Sequence, residues 1–127
     1  MKVLVVEDDP DLREIYSAVI DRLGGEAVPA ESVKQAYEIL ESRKDLNIGL
    51  VDFFVPGFVQ GFARGRGPLA TKLKEIPNFC FAFVSGSATL TEEEAKLNGA
   101  CCLVAKPVTS GELETVLRTM YERSQAH

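Results

Sequence analysis

Four places in the chain carry side chains that could do chemistry together. Glu7, Asp8 and Asp9 follow the run Val3 to Val6, and Asp52 ends the run that starts at Ile48. Ser85 ends an apolar stretch beginning at Phe79, and Lys106-Pro107 follow Cys101 to Ala105. Two carboxylates ~4 Å apart repel by about 4 kcal/mol at an effective dielectric near 20, so acids gathered in one crevice require a cation. Oxygen donors select a hard ion, and Mg²⁺ commonly takes one or two carboxylates with waters and phosphate oxygens. A lysine ammonium suits a phosphoryl oxygen instead. Acids, Mg²⁺, a hydroxyl and a lysine are the parts that phosphoryl transfer to a carboxylate would use. Asp9 stands apart: with Pro10 behind it, its position is that of a helix N-cap.

Whether these groups meet depends on the elements that carry them. Val3 to Val6 and Ile48 to Asp52 are short apolar runs of the kind that parallel strands buried on both faces require. Phe79 to Ser85 and Cys101 to Ala105 are two more strands, and Ala27 to Ala30 is a weaker one that Pro29 assigns to a sheet edge. Helices are predicted between them. Leu12, Ile15, Tyr16, Val19, Ile20 and Leu23 form an apolar stripe that Gly24 and Gly25 end. Ser32 with Gln35, Thr91 with Glu94 and Thr109 with Glu112 are capping boxes, the last with Val108 and Leu113 as a hydrophobic staple. After the Pro56-Gly57 turn, Gly61, Gly65 and Gly67 interrupt any helical pattern, so the third helix is predicted only from about Pro68 to Glu75. Strand and helix thus alternate five times. This order predicts an α/β fold, a doubly wound five-stranded parallel sheet with helices on both faces. In such folds the site lies beyond the carboxyl ends of the strands, where the strand order reverses, and every group named above sits at a strand end.

Composition narrows the partners. The chain has 127 residues, enough for one domain with its own core, so a single domain over 1–127 is expected. Its net charge of −5 is a poor footprint for gripping nucleic acid phosphates. The charge is uneven, with +3 between Phe53 and Thr91 and −8 elsewhere. Cys80, Cys101 and Cys102 form neither an even set nor a C-x-x-C pair and read as reduced thiols of a cytoplasmic protein. No targeting or membrane-spanning segment is visible. His127 is the only histidine, which leaves no histidine dyad or metal site, and no nucleotide-binding glycine loop follows the first strand.

The sequences VVEDDP at 5–10, VDFFVPG at 51–57, VSGS at 84–87 and AKP at 105–107 stand in order at four strand ends. In these motifs, and over nearly its whole length, the chain resembles the response-regulator receiver domain of two-component signalling, a CheY-like phosphoacceptor module. The resemblance implies Asp52 as the aspartate that accepts the phosphoryl group. It implies Glu7, Asp8 and Asp52 as ligands of Mg²⁺ with the backbone carbonyl of Phe54, Ser85 as the switch hydroxyl and Lys106 as the family's lysine. The Lys106-Pro107 bond is expected to be cis. It further implies a histidine kinase or phosphotransfer protein as donor, a downstream effector protein or domain as reader, and no enzyme activity beyond self-phosphorylation and self-dephosphorylation. Because the chain stops soon after the last helix, either a stand-alone receiver or one domain of a larger regulator is expected.

Three departures from the family pattern stand out. Leu103 takes the place of a frequent Tyr or Phe, which removes an aromatic readout through the last strand. The segment 58–68 lacks the usual helix start, and Phe58 or Phe62 beside Arg64 and Arg66 forms a candidate patch for a partner or an anionic ligand. Gly86 stands where alanine is frequent, while Phe54 and Ser87 flank the approach to Asp52, so a bulky Phe54 is expected to lengthen the life of a phosphoryl group. Two rivals remain. A degenerate receiver would bind partners without phosphorylation, and a small aspartyl-phosphate phosphatase or phosphotransferase would need a second acid where Phe54 stands.

Overall fold

The computed structural model describes residues 1–53, 68–86 and 90–126. The elements are β1 (Lys2–Val6), α1 (Pro10–Arg22), β2 (Glu26–Ala30), α2 (Val33–Ser42), β3 (Ile48–Asp52), α3 (Pro68–Lys74), β4 (Cys80–Ser85), α4 (Glu92–Leu97), β5 (Cys102–Ala105) and α5 (Ser110–Gln125). The five strands form one parallel sheet in the order β2-β1-β3-β4-β5. Pro29 lies on β2, at the edge where a missing N–H costs no ladder bond.

Successive strand residues point to opposite faces, and both faces are covered. Leu4, Val6, Val51, Phe81 and Phe83 join α2, α3 and α4 residues in one core layer. Val3, Val5, Ile48, Leu50 and Val84 join Tyr16, Ile20, Leu113 and Leu117 in the other. Phe81 and Phe83 meet edge to face at 5.4 Å, and Phe53 meets Phe83 at 6.3 Å, which fixes the chain just past Asp52. No helix among the described residues is long and apolar enough to cross a membrane.

Local signals set the helix ends. The Asp9 carboxylate accepts from the N–H groups of Asp11 and Leu12, so Asp9 is a cap, as its position predicts. Thr91 and Thr109 cap α4 and α5 and also donate their hydroxyls to Glu94 and Glu112. At α2 the box differs: Ser32 accepts from Gln35 N–H, but the Gln35 amide oxygen reaches the N–H of Glu31 rather than that of Ser32. The stripe on α1 is narrower than predicted. Ile15 is half exposed at 51% because it lies about a quarter turn from the line of Tyr16, Val19 and Ile20 at 3.6 residues per turn.

Gly99 ends α4 with φ +91°, and a Cβ there would collide with the Lys74 side chain. Gly111, within α5, has open space around it. Gly99→Ala is therefore expected to cost about 1–3 kcal/mol, and Gly111→Ala to gain about 0.5–1 kcal/mol, both read by denaturant unfolding. The three cysteines are free thiols, and burial with the neighbouring Cys101 pushes Cys80 up to about 12.

Candidate functional site

The chain leaves β1 for the edge strand β2, then crosses back to place β3 on the other side of β1. The strand order thus reverses between β1 and β3, and the crevice that this leaves opens at their carboxyl ends. Register brings the groups together. Val6 pairs with Val51, so Glu7 and Asp52 leave neighbouring strands side by side. Asp52 pairs with Val84 and Ser85 with Ala105, and Lys106 N–H donates to the Ser85 carbonyl at 2.9 Å.

The Lys106 ammonium bridges the acids, with Nζ 3.1 Å from Glu7 Oε1 and 3.2 Å from Asp52 Oδ2. Glu7, Asp52 and Ser85 are buried, whereas Asp8 is exposed. Burial first, and then the hydrogen bond and charge of Asp52, raise the Glu7 carboxyl to about 8. A proton shared between two buried carboxylates is the physical response to like charges held close. Burial alone would lower the Lys106 ammonium, but the Asp52 charge and the contacts with both acids raise it above its ordinary value.

One oxygen from each of Glu7, Asp8 and Asp52 lies within 4.8 Å of the others. The set is all oxygen and largely anionic, and one member faces solvent, which fits a hard cation that keeps several waters, as Mg²⁺ does. The structure therefore brings together five of the residues singled out in the sequence: Glu7, Asp8, Asp52, Ser85 and Lys106. The Lys106-Pro107 bond is cis, as expected. The backbone carbonyl of Phe54, the side chains of Phe58, Phe62, Arg64 and Arg66, and Ser87 lie outside the described residues. Gly86 is exposed, and a Cβ there would meet Lys106 Cβ at 3.9 Å, an ordinary contact. Leu103 is partly buried and packs against the layer that contains Phe81 and Phe83.

Arg13 was not visible as a site residue. Its Nη1 donates to the Glu7 carbonyl at 2.8 Å and the Asp8 carbonyl at 3.3 Å, holding the turn that aims both acids. A cation six positions after Glu7 on the first helix was the available signal.

No family model matches the chain. It is 28% identical over 119 residues to the response regulator protein PilR of Pseudomonas aeruginosa, covering 93% of this chain and 25% of the relative. It is 26% identical over 126 residues to the phosphate regulon transcriptional regulatory protein PhoB of the same organism, covering 96% and 52%. The chain thus spans a quarter to about half of these relatives. The response regulator receiver domain protein of Clostridium thermocellum has the same fold, with a TM-score of 0.82, 19% identity, and 98% and 96% of the two chains covered. By sequence the chain is similar to response regulators, and by fold it is similar to their receiver domains.

Proposed function

We propose that the chain is the phosphoacceptor of a two-component relay, in which Asp52 receives a phosphoryl group with the help of Mg²⁺ held by Glu7, Asp8 and Asp52. The observation that carries this reading is the gathering of these three carboxylates within 4.8 Å, with the Lys106 ammonium 3.1 and 3.2 Å from two of them, at the strand-order reversal. An Asp52 carboxylate oxygen attacks phosphorus. The O–P bond forms as the bond from phosphorus to the donor's leaving nitrogen or oxygen breaks, and the proton needed goes to that leaving group. Lys106 and the Ser85 hydroxyl hold the phosphoryl oxygens. Bound Mg²⁺ neutralises charge on the nucleophile and on the incoming group.

Receiver domains are signalling modules, and the expected donor is a histidine kinase or phosphotransfer protein. Once Asp52 is phosphorylated, Lys106 and Ser85 exchange their partners in the free protein for phosphoryl oxygens. This biases an existing equilibrium that a downstream effector reads. The chain works in this reading as one domain in the cytoplasm, without contact to nucleic acid or membrane of its own.

The reading is tested with phosphoramidate and Mg²⁺, followed by the intact mass. One added phosphoryl group that hydroxylamine removes is expected, with none when Mg²⁺ is chelated. No addition in either condition would leave a degenerate receiver, and sustained turnover of many phosphate esters would leave an enzyme. Mg²⁺ binding also carries a pH signature. Glu7 must lose its proton to bind the ion and holds it up to about pH 8 in the free protein, so Mg²⁺ affinity is expected to rise from pH 6 to about 8 and then level off. Calorimetry in buffers of different ionisation heat reads the released proton.

A further inference from the structure

The end of the sheet opposite the acidic crevice carries a second concavity. There α2 ends at Ser42 and α3 at Lys74, and the chain turns at both places to enter β3 and β4. Between the two turns lies a cavity of about 460 Å³, a size that suits a small organic ligand. Its apolar wall includes Leu40 and Leu46, both buried core side chains, and the half-buried Ile76.

The charge on the rim is positive in a chain whose net charge is −5. Arg43 is already engaged, with Glu26 at 3.1 Å and Asp45 at 2.8 Å. Lys44 and Lys72 are not: among the described residues neither makes an ion pair, and the Lys44 ammonium donates only to the Leu40 carbonyl at 3.1 Å. Among the described residues, Glu75 is the one acid that lines the cavity. Lysines near helix C-termini complement the helix dipole, which accounts for their place in the chain. It does not account for two of them lining a cavity whose other wall is apolar.

We propose that this cavity binds a small amphiphilic carboxylate, with its aromatic or short acyl body against Leu40, Leu46 and Ile76 and its carboxylate between Lys44 and Lys72. A neutral apolar molecule would leave both ammonium groups unused. A cation would meet like charge. The site lies away from Asp52, so it stands whether or not Asp52 is a phosphoacceptor.

The test is an amide-resolved NMR titration of the full chain with naphthoate, beside the neutral naphthalenemethanol. Saturable shifts confined to the segments around Leu40–Leu46 and Lys72–Pro77 are expected, with naphthoate binding about tenfold tighter, the scale of one charge-assisted hydrogen bond. The double variant Lys44→Gln, Lys72→Gln should fold normally and bind naphthoate no better than the alcohol, while Asp52→Asn should bind it as the parent does. Shifts scattered over the surface or absent from these segments would overturn the proposal. So would equal binding of the alcohol, or undiminished binding by the double variant.

Discussion

Replacing Asp52 with asparagine is expected to abolish phosphoryl transfer and, in the absence of Mg²⁺, to make the protein more stable. The amide keeps the shape of the carboxylate and an oxygen that can accept from Lys106, but it is no nucleophile for phosphorus. It also removes the neighbouring carboxylate whose charge and hydrogen bond help to keep a proton on Glu7. Glu7 is raised to about 8 first by its burial and then by Asp52, so only part of that shift is relieved. At 1.36 kcal/mol for each pKa unit, the gain is on the order of 1–2 kcal/mol near neutral pH. Denaturant unfolding without Mg²⁺ reads the gain, and the intact mass reads the loss of transfer. A variant that is less stable than the parent, or that still accepts the group, would contradict the account. A more stable variant would mean that Asp52 costs stability in the resting protein for the sake of its chemistry, a common exchange at functional sites.

Lys106→Met should do the reverse to stability. Methionine keeps the length of the side chain but removes the cation that reaches both Glu7 and Asp52. Leaving buried carboxylates without their partner costs roughly 1–3 kcal/mol. The sign with pH follows from Glu7. Its raised carboxyl is protonated below about 8, so the loss should be smaller in mild acid and grow as pH rises through that value. Added Mg²⁺ should restore much of it, since the ion supplies the missing positive charge. Transfer to Asp52 should still fall by roughly 10²–10³, the scale on which one preorganised charge stabilises a transition state. Rates followed at saturating Mg²⁺ separate that loss from weakened metal binding. An unchanged rate would remove Lys106 from the transfer step.

Local physics wrote most of the fold into the sequence. Asp9-Pro10, Thr91 with Glu94, and Thr109 with Glu112 mark helix starts because each cap needs only residues three or fewer positions away. The apolar runs of β1 and β3 read as strands buried on both faces because the sheet leaves them no solvent side. Pro29 read as an edge residue for an equally local reason. Ile15 did not read as exposed, because a stripe's width depends on how a helix is rolled against the sheet.

The site was legible in its members but not in its pairings. Lys106 meets Glu7 across 99 positions and Asp52 across 54, and which ammonium reaches which carboxylate follows from strand order and register. The role of Arg13 rests on two backbone carbonyl groups, so its spacing from Glu7 was the one weak sign of it in the sequence. The basic cavity between α2 and α3 joins residues 40 to 46 with residues 72 to 77, which no single segment could reveal.

The central claim, that Asp52 is the residue that takes the phosphoryl group, is tested most directly by locating the modification. After phosphoramidate and Mg²⁺, borohydride reduces an aspartyl phosphate to homoserine, and peptide sequencing by mass spectrometry finds the changed residue. The account predicts homoserine at position 52 and at no other acid. Homoserine at position 8, 5-hydroxynorvaline at position 7, or an unchanged position 52 in protein that has gained the phosphoryl mass, would contradict it.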